Sequence, residues 1–366
     1  MHIAYFWLTM GHYHFARMNA IAALETVEKL TVFEATDLDD HYWKREENES
    51  LPFEHRVLYP QNVLDYEITG KAWTRLKEVL ADISPDILVN GAGYFHPKNY
   101  KVLRAWKKQS GKKLVLWSES TAIDQKRNLA KEFVKRQVLK IYDAAIVAGS
   151  MHKEYLVDLG FPENRIQVVG NVVDNDFFES QKQSQRNGFL YVGRMLDIKN
   201  VQNLIEAYAR YRKDAKNPQP LYLVGDGPLK DDFEQKVKSQ NIKGIVFTGN
   251  LQVDQVKEYY KQCRFFILPS FSEPWGLVIN EAMASGLPVA ASVNCGATHD
   301  LVHPEKNGFV FAPNNVNDIV AVLHRLDSLS ESQYDEMSSY AKSYISNYSP
   351  EKYAVNCDAL FTKLMT

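Results

Sequence analysis

Short apolar runs rich in β-branched and aromatic residues alternate along this chain with longer stretches in which apolar positions recur every three or four residues. In the first half the runs at 2–8, 30–34, 86–91, 113–119, 144–148 and 165–169 predict strands. The stretches at 15–29, 68–81, 98–108, 126–141 and 152–159 predict the helices between them. The strands lack a clear alternation of apolar and polar positions, the pattern of parallel sheets covered by helices on both faces.

The pattern then restarts. Strands are expected at 188–193, 221–224, 245–248, 265–268 and 287–291, with helices at 201–212, 229–239, 253–262 and 277–285 and further helices from 316 to the end. Between the halves, residues 174–186 are crowded with Asp, Asn, Ser and Gln, which reads as a linker. The expected organisation is α/β, with two doubly wound Rossmann-like domains at 1–175 and 176–345 facing an interdomain cleft. A last helix at 346–366 would pack back on the N-terminal domain.

Composition narrows the class. The chain has 366 residues with 43 Lys and Arg against 45 Asp and Glu, an ordinary globular balance without the basic excess of a nucleic-acid binder. Cys263, Cys295 and Cys357 are an odd number without CxxC spacing, so neither a disulfide framework nor a zinc knuckle is expected, and the expected compartment is the reducing cytoplasm. The apolar start has no basic n-region and reads as a first strand, not a signal peptide. No apolar stretch is long enough to span a bilayer, so a soluble protein is expected. Charge is nevertheless uneven. Between Lys98 and Lys140 thirteen basic residues face three acidic ones, some at helical intervals among Trp106, Phe133 and Val134. That arrangement suits peripheral contact with an anionic membrane at its inner face; a solvated helix face is the alternative.

In open parallel sheets ligands bind beyond the carboxyl ends of strands, so the residues following each strand carry the chemistry. Gly11 follows the first strand and would open a helix start toward an anion, although the chain lacks a GxGxxG run, which counts against a dinucleotide dehydrogenase. Gly193-Arg194 and Lys199 place two cations beyond another strand end, a planar fork and a point charge suited to a diphosphate. Gly225-Asp226-Gly227-Pro228 is a tight turn. The stretch Ser272 to Pro288 puts Glu273 in a loop, Gly276 at a helix start and Glu281 about one turn inside the helix. Unpaired N–H groups between two carboxylates would suit a phosphate flanked by polyols, as in a nucleotide sugar.

These residues carry a resemblance. Glu273 to Glu281 matches the E-x7-E motif of retaining glycosyltransferases of the GT-B fold, and the surrounding EPWGLVINEAMASGLPV resembles glycosyltransferase family 4. The Arg194 and Lys199 pair, the turn at Gly225, Val246-Phe247-Thr248-Gly249 and Asn307-Gly308-Phe309 fall in that family's order. The likeness is specific from about 188 to 313 and only architectural before that. It implies that Arg194 and Lys199 hold a donor diphosphate, that backbone at Gly276 and Leu277 meets phosphate and sugar, that Glu273 binds the transferred sugar and that Glu281 binds ribose. Leu251, after Asn250, would present its main chain to the base, with Gly193, Trp275 and Val278 beside the same donor. Gly11 would correspond to the family's N-terminal glycine loop, where a pair of glycines is usual and this chain has one. His96, after the strand at 86–91, falls where the family often has an active-site histidine. Glu119, His12 and His14 are acceptor-side candidates.

The resemblance therefore implies retaining transfer of a hexose from a nucleoside diphosphate sugar, with a UDP-sugar such as UDP-glucose the commonest expectation, to a glycan or lipid-linked acceptor in polysaccharide or cell-envelope synthesis. His96, Glu273, Arg194 and Lys199 would be the catalytic group. The rival readings are a nucleotide-sugar 2-epimerase on the same fold and a binding protein without catalysis. Asp37-Leu38-Asp39-Asp40 reads as an acidic surface loop rather than an Asp-x-Asp metal motif, because Arg194 and Lys199 already supply cationic charge; no metal or other cofactor is expected.

Overall fold

A computed structural model describes residues 1–37, 50–60, 66–93, 95–124, 127–180 and 186–366. The chain forms two compact units, one of Met1–Val172 with Pro350–Thr366 and one of Val173–Ser349.

The first unit runs β1 (His2–Trp7), α1 (His12–Ala22), β2 (Lys29–Glu34), β3 (Glu54–Val57), α2 (Tyr66–Ile83), β4 (Ile87–Asn90), α3 (Pro97–Ser110), β5 (Lys113–Ser118), α4 (Leu129–Leu139), β6 (Ala144–Val147), α5 (Ser150–Asp158) and β7 (Ile166–Val168). Its sheet is ordered β3-β2-β1-β4-β5-β6-β7, and the paired strands are parallel. β4 and β6 are buried at every position and read as apolar runs, broken only by Asn90 at the end of β4, whose Nδ2 donates to Tyr142 Oη at 2.9 Å. Right-handed crossovers put the helices α2 to α5 on one face, where Trp73, Leu103, Trp106, Leu139 and Leu156 share one apolar cluster.

The second unit runs α6 (Asn175–Phe178), β8 (Phe189–Val192), α7 (Val201–Asp214), β9 (Leu221–Val224), α8 (Lys230–Ser239), β10 (Ile245–Gly249), α9 (Val253–Gln262), β11 (Phe265–Leu268), α10 (Leu277–Ala284), β12 (Val289–Ser292), α11 (Gly296–Leu301), β13 (Gly308–Phe311), α12 (Val316–Asp327) and α13 (Glu331–Ile345). Its parallel sheet is ordered β10-β9-β8-β11-β12-β13. The last helix, α14 (Pro350–Met365), lies against α1 in the first unit. There the buried guanidinium of Arg17 lies 5.7 Å from the Trp117 ring centroid and 5.9 Å from that of Tyr353 on α14.

Five elements depart from the pattern read in the sequence. α1 runs His12–Ala22 rather than 15–29; β3, α6, α11 and β13 fall where no element is expected. β3 is a half-buried edge strand of sequence EHRV, with no apolar run to announce it. Within the predicted linker, Asn175–Phe178 forms a helical turn capped by Asp174, while 181–185 lie outside the described residues.

Candidate active site

In the second sheet the strand order reverses between β8 and β11, so the loops leaving these neighbouring strands diverge and leave a crevice at their carboxyl ends. Arg194 and Lys199 follow β8, and Glu273 follows β11. The structure joins two of them, with Lys199 Nζ ion-paired to Glu273 Oε2. Arg194 is exposed in the same loop, whose backbone is held by Tyr191 Oη donating to the Arg194 carbonyl at 2.9 Å.

Asn200 fixes this arrangement. It is buried and left-handed, at φ 59°, and its Nδ2 donates to the carbonyls of Pro269 at 2.9 Å and Pro313 at 2.8 Å. The Phe271 N–H meets the Ile198 carbonyl at 2.8 Å. Glu273 is held from the other side, its N–H donating to Asn294 O at 3.1 Å and its carbonyl accepting from Gly296 at 3.0 Å.

Gly276 caps α10 at φ 100°, a left-handed conformation that costs other residues about 1–2 kcal/mol. A Cβ there would stand 3.2 Å from both Glu273 Cγ and Leu268 Cδ2. The bare backbone lets the chain turn into α10, whose first N–H groups, those of Leu277 and Val278, have no intrahelical carbonyl to reach. Trp275 is buried, its Nε1 donating to Asn280 Oδ1 at 3.0 Å, so its side chain braces the turn from inside.

Neighbouring loops close the site. Gly225 donates its N–H to Gly249 O at 3.0 Å, and a Cβ on Gly225 would lie 2.1 Å from the carbonyl oxygen of Gly193. The turn after β9 is therefore seated directly on the loop after β8. Asn250 is exposed and Leu251 half-buried between β10 and α9.

Glu281 lies inside α10, only 2% exposed, and accepts from Tyr260 Oη at 2.7 Å. Burial pushes its carboxyl up to about 7, while the Tyr260 hydrogen bond pulls the other way. Near neutrality this side chain exchanges a proton.

In the first unit the strand order reverses between β1 and β4, and the loops after these strands carry Gly11 and His96. Gly11 caps α1 with help from His14: the Gly11 N–H donates to His14 Nδ1, and the His14 N–H to Gly11 O, each at 2.9 Å. This pair explains why the helix begins earlier than its apolar periodicity. Buried Glu34 holds the same loop, accepting from the Met10 N–H at 3.0 Å and pairing with His55 Nε2 at 2.8 Å. Burial, with Arg17 beside it, lowers His14 well below the ordinary histidine range and His12 to about 4, so both rings are neutral at pH 7.

His96 caps α3, its Nδ1 accepting from the Lys98 N–H at 3.2 Å. Burial and Lys98 lower its pKa, so the neutral ring carries its proton on Nε2. Glu119 accepts from Asn171 Nδ2 at 2.7 Å. Among the described residues no group of His, Cys, Asp and Glu is arranged to hold a metal ion; of the acidic run at 37–40, residues 38–40 lie outside the described residues.

Sequence reasoning missed Tyr260, Asn200 and Glu34. Asn200 stands next to Lys199 but reads as ordinary helix-start polarity. Tyr260 reads as one more apolar position on α9, because Glu281 is 21 residues away and adjacent only after folding.

Two doubly wound α/β units, each with its candidate residues at its own strand-order reversal, define a protein of the GT-B fold. Residues 172–344 match the family model described as glycosyl transferases group 1. Sulfoquinovosyl transferase SQD2 of Arabidopsis thaliana is 32% identical over 196 residues, covering 50% of this chain and 37% of that relative. The match spans under half the length of several curated relatives. Among solved structures, the lipopolysaccharide outer core galactosyltransferase WaaB superposes with a TM-score of 0.75 at 20% identity, covering 99% of both chains. Anabaena HepE in complex with UDP superposes with a TM-score of 0.76 at 15% identity, covering 99% of this chain and 100% of that one.

Proposed function

We propose that this protein is a retaining glycosyltransferase of family 4, moving a hexose from a nucleoside diphosphate sugar, read here as a UDP-sugar such as UDP-glucose, to a hydroxyl of a glycan or lipid-linked acceptor. The observation that carries the reading is the Lys199–Glu273 pair beside the N-terminus of α10. A cation and open N–H groups would receive the diphosphate, and the carboxylate would accept from sugar hydroxyls. The match to glycosyl transferases group 1 and the UDP named with HepE support it.

In this reading Arg194, Lys199 and the α10 N-terminus stabilise the departing diphosphate, where negative charge accumulates. The bond from the anomeric carbon to the phosphate oxygen breaks, and its electron pair leaves with the nucleoside diphosphate. A bond forms from the acceptor oxygen to the anomeric carbon on the same face, and the acceptor proton passes to the leaving phosphate. No enzymatic nucleophile is needed, so Glu273 is cast as a sugar-binding group. His96 offers its Nε2–H to the transferred sugar, Glu281 meets the ribose, and Glu119, His12 and His14 stand on the acceptor side. No metal enters the scheme. The segment between Lys98 and Lys140 gives the protein a peripheral place on the inner face of an anionic membrane.

The test is thermal stabilisation of the full chain by UDP, GDP and ADP, each with magnesium and with EDTA, followed by NMR of the sugar released or transferred from the donor that binds. The expected result is a metal-independent shift with UDP and a product that keeps the donor's anomeric configuration. Absence of any shift would overturn the donor assignment, an inverted product would overturn retention, and a sugar epimerised without acceptor would point to a 2-epimerase.

A further inference from the structure

Helix α4 buries apolar side chains only near its C-terminal end, where Val138 and Leu139 join the core. Earlier on the same inward side, Lys135 Nζ pairs with Glu132 Oε1 at 3.1 Å, and both side chains bond Tyr155 Oη, Lys135 at 2.6 Å and Glu132 at 2.9 Å. Its outward side carries Leu129, Phe133 and Val134, which are 89%, 62% and 47% exposed. Positions 129, 133 and 134 share one face of a helix. Fold stability gives no reason to turn three large apolar side chains of one helix to water while a half-buried ion pair lies on its inner side.

The surroundings specify the occupant. Lys131, Arg136 and Lys140 are exposed on the same helix, as are Lys101, Arg104 and Lys108 on α3. The three acidic residues of the segment are turned to internal partners, Glu119 to Asn171, Asp124 to Thr121 and Glu132 to Tyr155. Other cations are neutralised locally, Lys107 by Asp143 and Lys112 by Asp86. What remains outside is an apolar strip bordered by positive charge. We infer that the outward face of α4 inserts into the acyl boundary of an anionic bilayer, with the flanking Lys and Arg side chains in the headgroup layer. This deepens the peripheral-contact reading of the basic segment, adding insertion to attraction, and it does not depend on which sugar is transferred.

The experiment is cosedimentation of the full chain with phosphatidylcholine vesicles and with vesicles containing phosphatidylglycerol, at low salt and at 0.5 M salt. Wild type is compared with the double variant Leu129→Ser, Phe133→Ser, and a Phe133→Trp variant reports insertion by its emission. Far-UV circular dichroism and melting establish that the variants fold. Wild type is expected to bind the anionic vesicles, to retain part of that binding in 0.5 M salt and, as Phe133→Trp, to shift its emission to the blue. The double variant is expected to bind about tenfold or more weakly. Equal binding by wild type and double variant would overturn insertion while leaving charge attraction standing. No binding of wild type to any vesicle would overturn the membrane reading altogether. A concentration-dependent dimer in wild type, absent from the double variant, would overturn it in favour of a second copy of the chain. Donor turnover, measured separately, reports on the transferase reading.

Discussion

The hydroxyl of Tyr260 donates to Glu281 at 2.7 Å inside the second unit, and both side chains are buried. The bond holds the Glu281 carboxyl in one orientation and offsets part of the cost of ionising it. Tyr260→Phe removes the donor without changing the ring. It is expected to lower stability by about 1–3 kcal/mol and to raise the Glu281 pKa further. Calorimetric UDP titrations from pH 6 to 8.5 are the check: with a carboxylate on the ribose, wild-type affinity rises through about pH 7, the variant's rise is displaced to higher pH, and Glu281→Gln flattens the Glu281 contribution.

Stability should follow the same group in the opposite sense. The folded pKa of Glu281, about 7, lies above its ordinary value of 4.5, so between these values the native state binds a proton that the unfolded chain does not. The contribution is full below 4.5 and is lost as pH rises through 7, a change on the order of 3 kcal/mol. The melting temperature of Glu281→Gln relative to wild type should therefore climb across this interval. A constant difference would place the proton elsewhere.

Lys199 and Glu273 make a pair that donor binding must loosen if Lys199 is to meet a diphosphate. Glu273→Gln frees the ammonium from its counter-charge, so affinity for UDP alone is expected to hold or rise several-fold while turnover of the sugar donor falls about a hundredfold. Lys199→Ala should lower both, and Arg194→Ala should weaken UDP binding most strongly at low salt. UDP titrations and donor turnover on the same preparations separate these outcomes. Equal losses of UDP affinity in Glu273→Gln and Lys199→Ala would contradict the assignment of phosphate to Lys199 and of sugar to Glu273 within this pair.

How much of this was legible depended on where each partner lies in the chain. β4 and β6 showed themselves because strands buried on both faces are apolar almost throughout, Asn90 being the exception with a buried partner in Tyr142. β3 did not, since its Glu54 and Arg56 bond each other at a sheet edge and leave no apolar period. The Gly276 turn and its two glutamates stood together in nine consecutive residues, within reach of local reading. Their supports came from afar: Asn200 reaches Pro313, 113 residues on, and Tyr260 reaches Glu281 only because α9 and α10 pack in one unit. The basic segment announced its charge but not the exposure of Leu129, Phe133 and Val134, because periodicity locates an apolar stripe without saying which side of a helix the core takes.

Gly276 offers a test of the local geometry. Gly276→Ala must place a Cβ 3.2 Å from Glu273 Cγ and from Leu268 Cδ2 while holding φ near 100°. The expected cost is about 1–2 kcal/mol of stability from the backbone, with a larger fractional loss in donor turnover because Glu273 is pushed from its place beside Lys199. Melting temperature and turnover should separate: a variant that melts lower yet turns over normally would show that the α10 turn does not position Glu273.

The first unit should weaken in mild acid through two histidines of the α1 turn, His12 and His14. In the folded chain His12 titrates at about 4 and His14 well below its ordinary value, burial being the larger cause and Arg17 the next for each. Unfolding returns both rings to about 6.5, so below that value the unfolded chain binds protons that the native one does not. Stability from this source is full above 6.5 and falls as pH drops toward 4. His14 carries the larger consequence, because protonating Nδ1 removes the acceptor for the Gly11 N–H and opens the cap of α1. Hydrogen exchange at the start of α1, followed from pH 7 to 4.5, should therefore show protection lost there before the strands of either sheet. His14→Asn, which keeps a cap acceptor without the charge, should flatten that loss; an unchanged pH dependence in this variant would assign the acid sensitivity to His12.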